Sequence, residues 1–218
     1  MRDIRKDKEY FDKYLDYQYS RIKKKNAKLE EADEDKKQRV LVSLISYEID
    51  LLKAEFSVGA TKDNIKTLLN RAVKVACEYE NITYEDLLNL LSLSIMVNNK
   101  SEAIKLIKMH NEKIRNDRLL RYLSMYINDT KPVWNESIPL KKEFILLDEV
   151  INSESKEDKL CDYLNSWYKN HYGYSWYNSH LGNEDTYCGY WSFESAAIAV
   201  ILKLDENKLK DSEYYPYF

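Results

Sequence analysis

Residues able to ligate a metal or move a proton gather near the end of the chain. They are His171, His180 and Cys188, with Glu184 and Asp185 between the second histidine and the cysteine. Imidazole and thiolate hold transition metals, and a histidine beside a carboxylate can act as a general acid or base. The spacing fits none of the paired Cys-x-x-Cys or His-x3-5-His patterns that zinc sites favour. The reading preferred here is a loop that packs down, its histidines bonded to tyrosines or backbone. His110 falls at the end of a helix, where a histidine complements the dipole. The sequence carries no G-x-S-x-G elbow, no G-x-x-x-x-G-K-[ST] phosphate loop and no H-E-x-x-H helix. With 4 glycines in 218 residues, a backbone cradle for phosphate is disfavoured as well. The expectation is a protein that is not an enzyme, with no catalytic residue, cofactor or metal.

Aromatic crowding is the strongest signal in the composition. There are 19 tyrosines, and 11 aromatic residues fall between Tyr163 and Phe193. Tyr and Trp are enriched where proteins bind one another, and they also hold irregular loops onto helices. Trp191 and Phe193 lead an apolar helix and read as core. For Tyr174, Trp176 and Tyr177 both readings stand. Stacking on nucleic-acid bases needs a basic groove, and this segment is acidic. The net charge of −3 is unevenly spread. Residues 1–40 carry 13 basic and 10 acidic side chains, and residues 141–218 carry 8 and 14, with no arginine. The acidic C-terminal third is a candidate to meet a basic partner. The run Lys23-Lys24-Lys25, beside Arg21 and Lys28, reads as a solvated helix face, blunted by Glu30, Glu31, Asp33, Glu34 and Asp35.

The elements that position these residues are helical. With 4 glycines and 3 prolines the chain lacks the turns an all-β fold needs. A charged outer helix over the first 30 residues has sparse apolar positions at Ile4, Phe11, Leu15, Ile22 and Leu29. Val40 to Phe56 gives a stripe at three- and four-residue steps that Gly59 ends. Thr61 and Thr83 are N-caps of the next two helices, and Ser155 of a later one. Further helices are expected around 101–111, 117–127, 141–151, 156–169 and 191–202. Residues 129–140 hold two prolines and mark a boundary. The expected organisation is all-α, an irregular array of nine to ten helices in stacked hairpins with an aromatic-rich loop near the C-terminus. It divides into 1–130 and 131–218, packed as one globular unit. Three widely spaced cysteines do not read as a disulfide framework. The charged N-terminus is no secretory signal, and the apolar run Leu87–Val97 is shorter than the ~20 residues of a membrane helix. A cytoplasmic protein is expected.

The stretch Tyr187-Cys188-Gly189-Tyr190-Trp191-Ser192-Phe193-Glu194-Ser195-Ala196-Ala197 is followed by Leu204-Asp205, Leu209 and Tyr214-Tyr215-Pro216-Tyr217. This pattern resembles the C-terminal signature of the PoNi family, bacterial immunity proteins against PoNe nucleases. The Trp-Tyr segment before it, His180, and Phe56-Ser57-Val58-Gly59 in the N-terminal half are similar to the family too. Members often continue past Tyr-Pro-Tyr with Asp-Leu, where this chain has Phe218. The resemblance implies an all-α antitoxin without catalysis of its own. Its partner would be a cognate PoNe-type toxin, a metal-dependent DNase of interbacterial competition. No direct contact with nucleic acid or membrane is implied. Exposed helical faces could also pair two copies as a homodimer. A DNase cleft is positive in order to hold phosphates, so an acidic, aromatic-edged surface can occupy it. On these grounds Glu184, Asp185, Trp176, Tyr177 and His180 are the expected toxin contacts. Gly189, Tyr190, Trp191, Phe193, Glu194, Tyr215 and Pro216 are expected to be scaffold, with Gly189 supplying backbone freedom in a tight aromatic turn. A helical adaptor for some other protein is the alternative.

Overall fold

The structure, a computed structural model, describes residues 1–182 and 184–218, with the backbone alone of Asp35. Among these residues it is all-α, with ten α-helices, three single 3-10 turns and no strand. The chain divides into two units. The first joins Met1–Leu90 to Asn178–Tyr190, and the second joins Leu91–Tyr177 to Trp191–Phe218.

The first unit is built on three helices, α1 (Lys8–Glu30), α2 (Glu34–Val58) and α3 (Lys62–Ala76). α1 packs on α2, and α2 on α3. Each starts on a side-chain cap: Asp7, Asp33 and Thr61 accept from Tyr10, Lys36 and Asn64 backbone N–H groups. Thr83 does the same for α4 (Tyr84–Met96), accepting from Asp86 N–H at 3.0 Å. Gly59 ends α2 at φ 103°, a left-handed conformation that a side chain would strain. The buried seam of α1 is Phe11, Tyr14, Gln18 and Ile22. It keeps the expected Phe11 and Ile22 but takes Tyr14 and Gln18 in place of Leu15, which is half-buried, and Ile4 precedes the helix and is 86% exposed. Gln18 is tolerated inside because its amide donates to the Tyr47 carbonyl and accepts from Arg21. From Leu87 to Met96, α4 is buried on every face, which its apolar run anticipates.

The second unit holds α5 (Lys100–Met109), α6 (Asn111–Arg115), α7 (Arg118–Ile127), α8 (Leu147–Asn152), α9 (Lys156–Asn170) and α10 (Phe193–Leu202). α7 is packed by α5, α6 and α10, and α8 lies on α9. The single turn α6 is not anticipated by the sequence pattern. The helix expected over 141–151 begins instead as a 3-10 turn, Lys142–Phe144. Its bonds there run to the third residue back, and the first bond to the fourth joins Val150 to Leu146. Ser155 makes no side-chain cap on α9. Its backbone N–H donates to the Ser153 hydroxyl at 3.0 Å. The proline-bearing segment is tied down by Arg118. Its guanidinium donates to the carbonyls of Glu136 and Ile138 and to Asp148 at 2.6 Å. Trp134 donates to the same Asp148 oxygen and sits edge-on to Tyr122.

Candidate functional site

Loop 178–190 carries Glu184 and Asp185 at its exposed turn, and both side chains are open to solvent. Local structure contributes little to its course: one 3-10 turn, Ser179–Leu181, and a Thr186 N–H bond to the Glu184 carbonyl. Most of its geometry is imposed from outside. Tyr187 is fully buried, and its backbone exchanges two 2.9 Å hydrogen bonds with the Tyr10 hydroxyl on α1. Its own hydroxyl donates to Asp3, which is 1% exposed. Burial, reinforced by the Asp3 charge, pushes the Tyr187 phenol far above its usual range, so it stays a donor. Burial likewise raises Tyr10 to about 12.

Gly189 turns at φ 115° and brings Tyr190 back against the loop. The Tyr190 hydroxyl accepts from the His180 backbone and lies 2.9 Å from His180 Nδ1. Its ring stands edge-on to Tyr187 with centroids 4.7 Å apart. His180 is half-buried by these contacts. Cys188 is buried, and its carbonyl accepts from the Ser57 hydroxyl. Its thiol donates to Asp50 at 3.8 Å, and burial raises its pKa well above the usual thiol range, the Asp50 charge adding to it. Such a thiol is a poor nucleophile. Asp50 itself is raised to about 6, chiefly by burial and against the pull of Lys53.

Trp176 and Tyr177 belong to the second unit, so they are built into different surroundings from Glu184, Asp185 and His180. Residues 171–177 fold back on α9. Trp176 stacks on Trp167 at 5.4 Å, and Tyr177 on Tyr168 at 4.3 Å. Tyr214 of the C-terminal segment stacks on Tyr168 at 5.7 Å. Both Trp176 and Tyr177 are part-exposed, and Tyr172, edge-on to Tyr177, is 81% exposed. His171 is buried among Phe144, Trp167, Tyr174 and Trp176, and its Nδ1–H donates to the Trp167 carbonyl at 2.7 Å. Tyr174 donates to Glu143. Among the described residues no three His, Cys, Asp or Glu side chains come together as a metal ion would require. His110 is buried at the C-cap of α5.

The signature residues lie inside. Trp191, Phe193, Glu194, Tyr215 and Pro216 are buried. Glu194 Oε1 accepts from Tyr163 at 2.6 Å, Trp167 at 2.7 Å and Ser192 at 2.6 Å. Those are side-chain donors from one helix, α9, and from the N-cap of α10. The Tyr214 carbonyl accepts from Ser192 N–H, and Tyr215 donates to Glu206. Sequence reasoning missed Asp3, Arg5, Lys6 and Asp50. In the sequence the first three are part of an ordinary charged N-terminus.

Two family models match the chain. One is the PoNe immunity protein (PoNi) N-terminal region over residues 2–108, and the other is the PoNe immunity protein C-terminal region over residues 115–218. A comparison with curated proteins gives no significant match. Among solved structures, protein PA2201 from Pseudomonas aeruginosa is similar in fold, with a TM-score of 0.73 at 16% identity over 98% of this chain and 87% of that one. No helix among the described residues is long and apolar enough to cross a membrane.

Proposed function

The chain belongs to the PoNe immunity protein family, and from that premise we propose that it protects a bacterial cytoplasm by binding and neutralising a cognate PoNe-type DNase. The observation that carries the binding site is the anchored loop, which holds Glu184 and Asp185 in water on a buried base of Tyr187, Cys188 and Tyr190. A nuclease cleft that grips phosphates presents basic side chains, and two carboxylates on a fixed loop oppose them. Fixing the loop beforehand removes ordering entropy that binding would otherwise have to overcome. Neutralisation then needs occupancy alone. The protein performs no catalysis, and DNA is excluded by competition for the cleft. Trp176 and Tyr177, with Tyr172 beside them, offer a second contact region of aromatic character.

The test is a titration of DNA cleavage by a purified PoNe-type nuclease from the same genome. Cleavage is expected to vanish at about one equivalent, with a co-eluting complex. Persistent cleavage without a complex would leave a helical adaptor for a different protein. Within a complex, Glu184→Lys with Asp185→Lys is expected to weaken affinity at least tenfold while the thermal midpoint stays near wild type. Unchanged affinity would move the contact away from this loop.

A further inference from the structure

Residues 1–6 precede the first helix and carry Arg2, Asp3, Arg5 and Lys6. Four charges in six residues ordinarily mean a solvated tail, yet this segment is engaged along its length. The Arg2 and Asp3 N–H groups both donate to the Ser57 carbonyl, at 2.7 and 3.1 Å. The Arg2 guanidinium donates to the Phe56 and Ala60 carbonyls at 3.0 Å and lies over the Phe56 ring at 4.5 Å. A cation thus sits over the C-terminal end of α2, where positive charge complements the helix dipole. From this anchorage the segment reaches the acidic loop three times. Asp3 accepts from Tyr187, Arg5 stands over the Tyr190 ring at 5.5 Å, and Lys6 donates to the Gly182 carbonyl at 3.0 Å. Arg5 in turn steadies Asp3, donating to it from backbone and guanidinium at 2.8 and 3.2 Å. The contacts bracket Glu184 and Asp185 on both sides.

We propose that residues 1–6 are a strap that positions the toxin-contacting loop, with Asp3 and Lys6 as positioning residues on either side of Glu184 and Asp185. This rests on the loop being the contact proposed above. A loop released from the strap samples other conformations, and its apparent affinity falls by the fraction of time spent outside the competent one.

The experiment pairs amide hydrogen exchange of the peptide covering 178–190 with affinity for the same PoNe-type nuclease, in Asp3→Asn and in the milder Lys6→Met. Each variant is expected to exchange about tenfold faster in that peptide, to bind several-fold more weakly, and to exchange as wild type in α3 and α9. Asp3→Asn weakens the acceptor and Tyr187→Phe removes the donor, so the two together should lose less than the sum of the single losses, since both act on one bond. Exchange unchanged in both variants overturns the strap and leaves the proposed contact standing. Faster exchange with undiminished affinity overturns the contact itself, and with it the strap's role in binding. If Asp3→Asn unfolds the unit, Lys6→Met, which removes only a half-exposed tether, decides between these outcomes.

Discussion

Glu194 is 3% exposed and takes three hydrogen bonds on one oxygen. Such a group is costly to remove, because its donors stay behind. Glu194→Ala leaves the Tyr163 hydroxyl and Trp167 indole, both buried, without that acceptor, at a cost of about 1–3 kcal/mol for each. Urea unfolding should show the midpoint falling accordingly, and Glu194→Gln, which keeps an acceptor oxygen, should lose less. Equal losses in the two variants would place the cost in packing rather than hydrogen bonding. The sequence marks Glu194 only as part of a pattern. Its donors were visible as an aromatic pair four residues apart on α9, but no spacing rule links them to a carboxylate 27 or 31 residues on. The N-terminal charges were less legible still. Asp3 and Tyr187 are 184 residues apart, and each looks ordinary alone.

Helix ends were the most readable elements, because caps are local. Gly59, Thr61 and Thr83 act as their residue types dictate, within three or four residues of what they bond. Ser155 shows the limit: a Ser-x-x-acid string names a possible cap, and the Ser155 side chain makes no such bond. The segment 141–151 starts as a 3-10 turn where a helix is expected, since apolar periodicity does not separate i+3 from i+4 winding in one turn. The end of α10 offers an element-scale prediction. Lys203 caps it in the left-handed region at φ 56° and is exposed. Lys203→Gly relieves that conformation and should raise stability by about 1 kcal/mol, read as a higher thermal midpoint. A lowered midpoint would mean that the lysine side chain contributes more than its backbone costs.

Across the whole molecule the acidic third does not fold as one acidic body. Glu184 and Asp185 join a first unit whose residues 1–90 carry 18 basic and 18 acidic side chains, so that unit is net −2 and the second is net −1. If the proposed contact is right, its charge complementarity is local to the loop, and salt should weaken the complex only modestly. Stability has a global dependence of its own through Asp50. Its carboxyl titrates at about 6 in the fold, against about 3.9 unfolded, because burial disfavours the charge. Between those values the folded chain holds a proton that the unfolded chain has released, so stability falls as the pH rises through that window. Asp50→Asn should raise the thermal midpoint at pH 7 and flatten its slope between pH 4 and 6. A lower midpoint at pH 7 would instead mean that attraction to Lys53 outweighs burial.

The first unit closes around residues from the far end of the chain, which gives its assembly a clock. At about 5–20 residues per second, a ribosome that has finished Leu90 needs on the order of ten seconds to reach Asn178–Tyr190. Until then the berth of Tyr187 stands open, with Asp3 and the Tyr10 hydroxyl awaiting their partner. A nascent chain of this design completes its interior late, and truncation anywhere before residue 190 yields a unit that has never been closed.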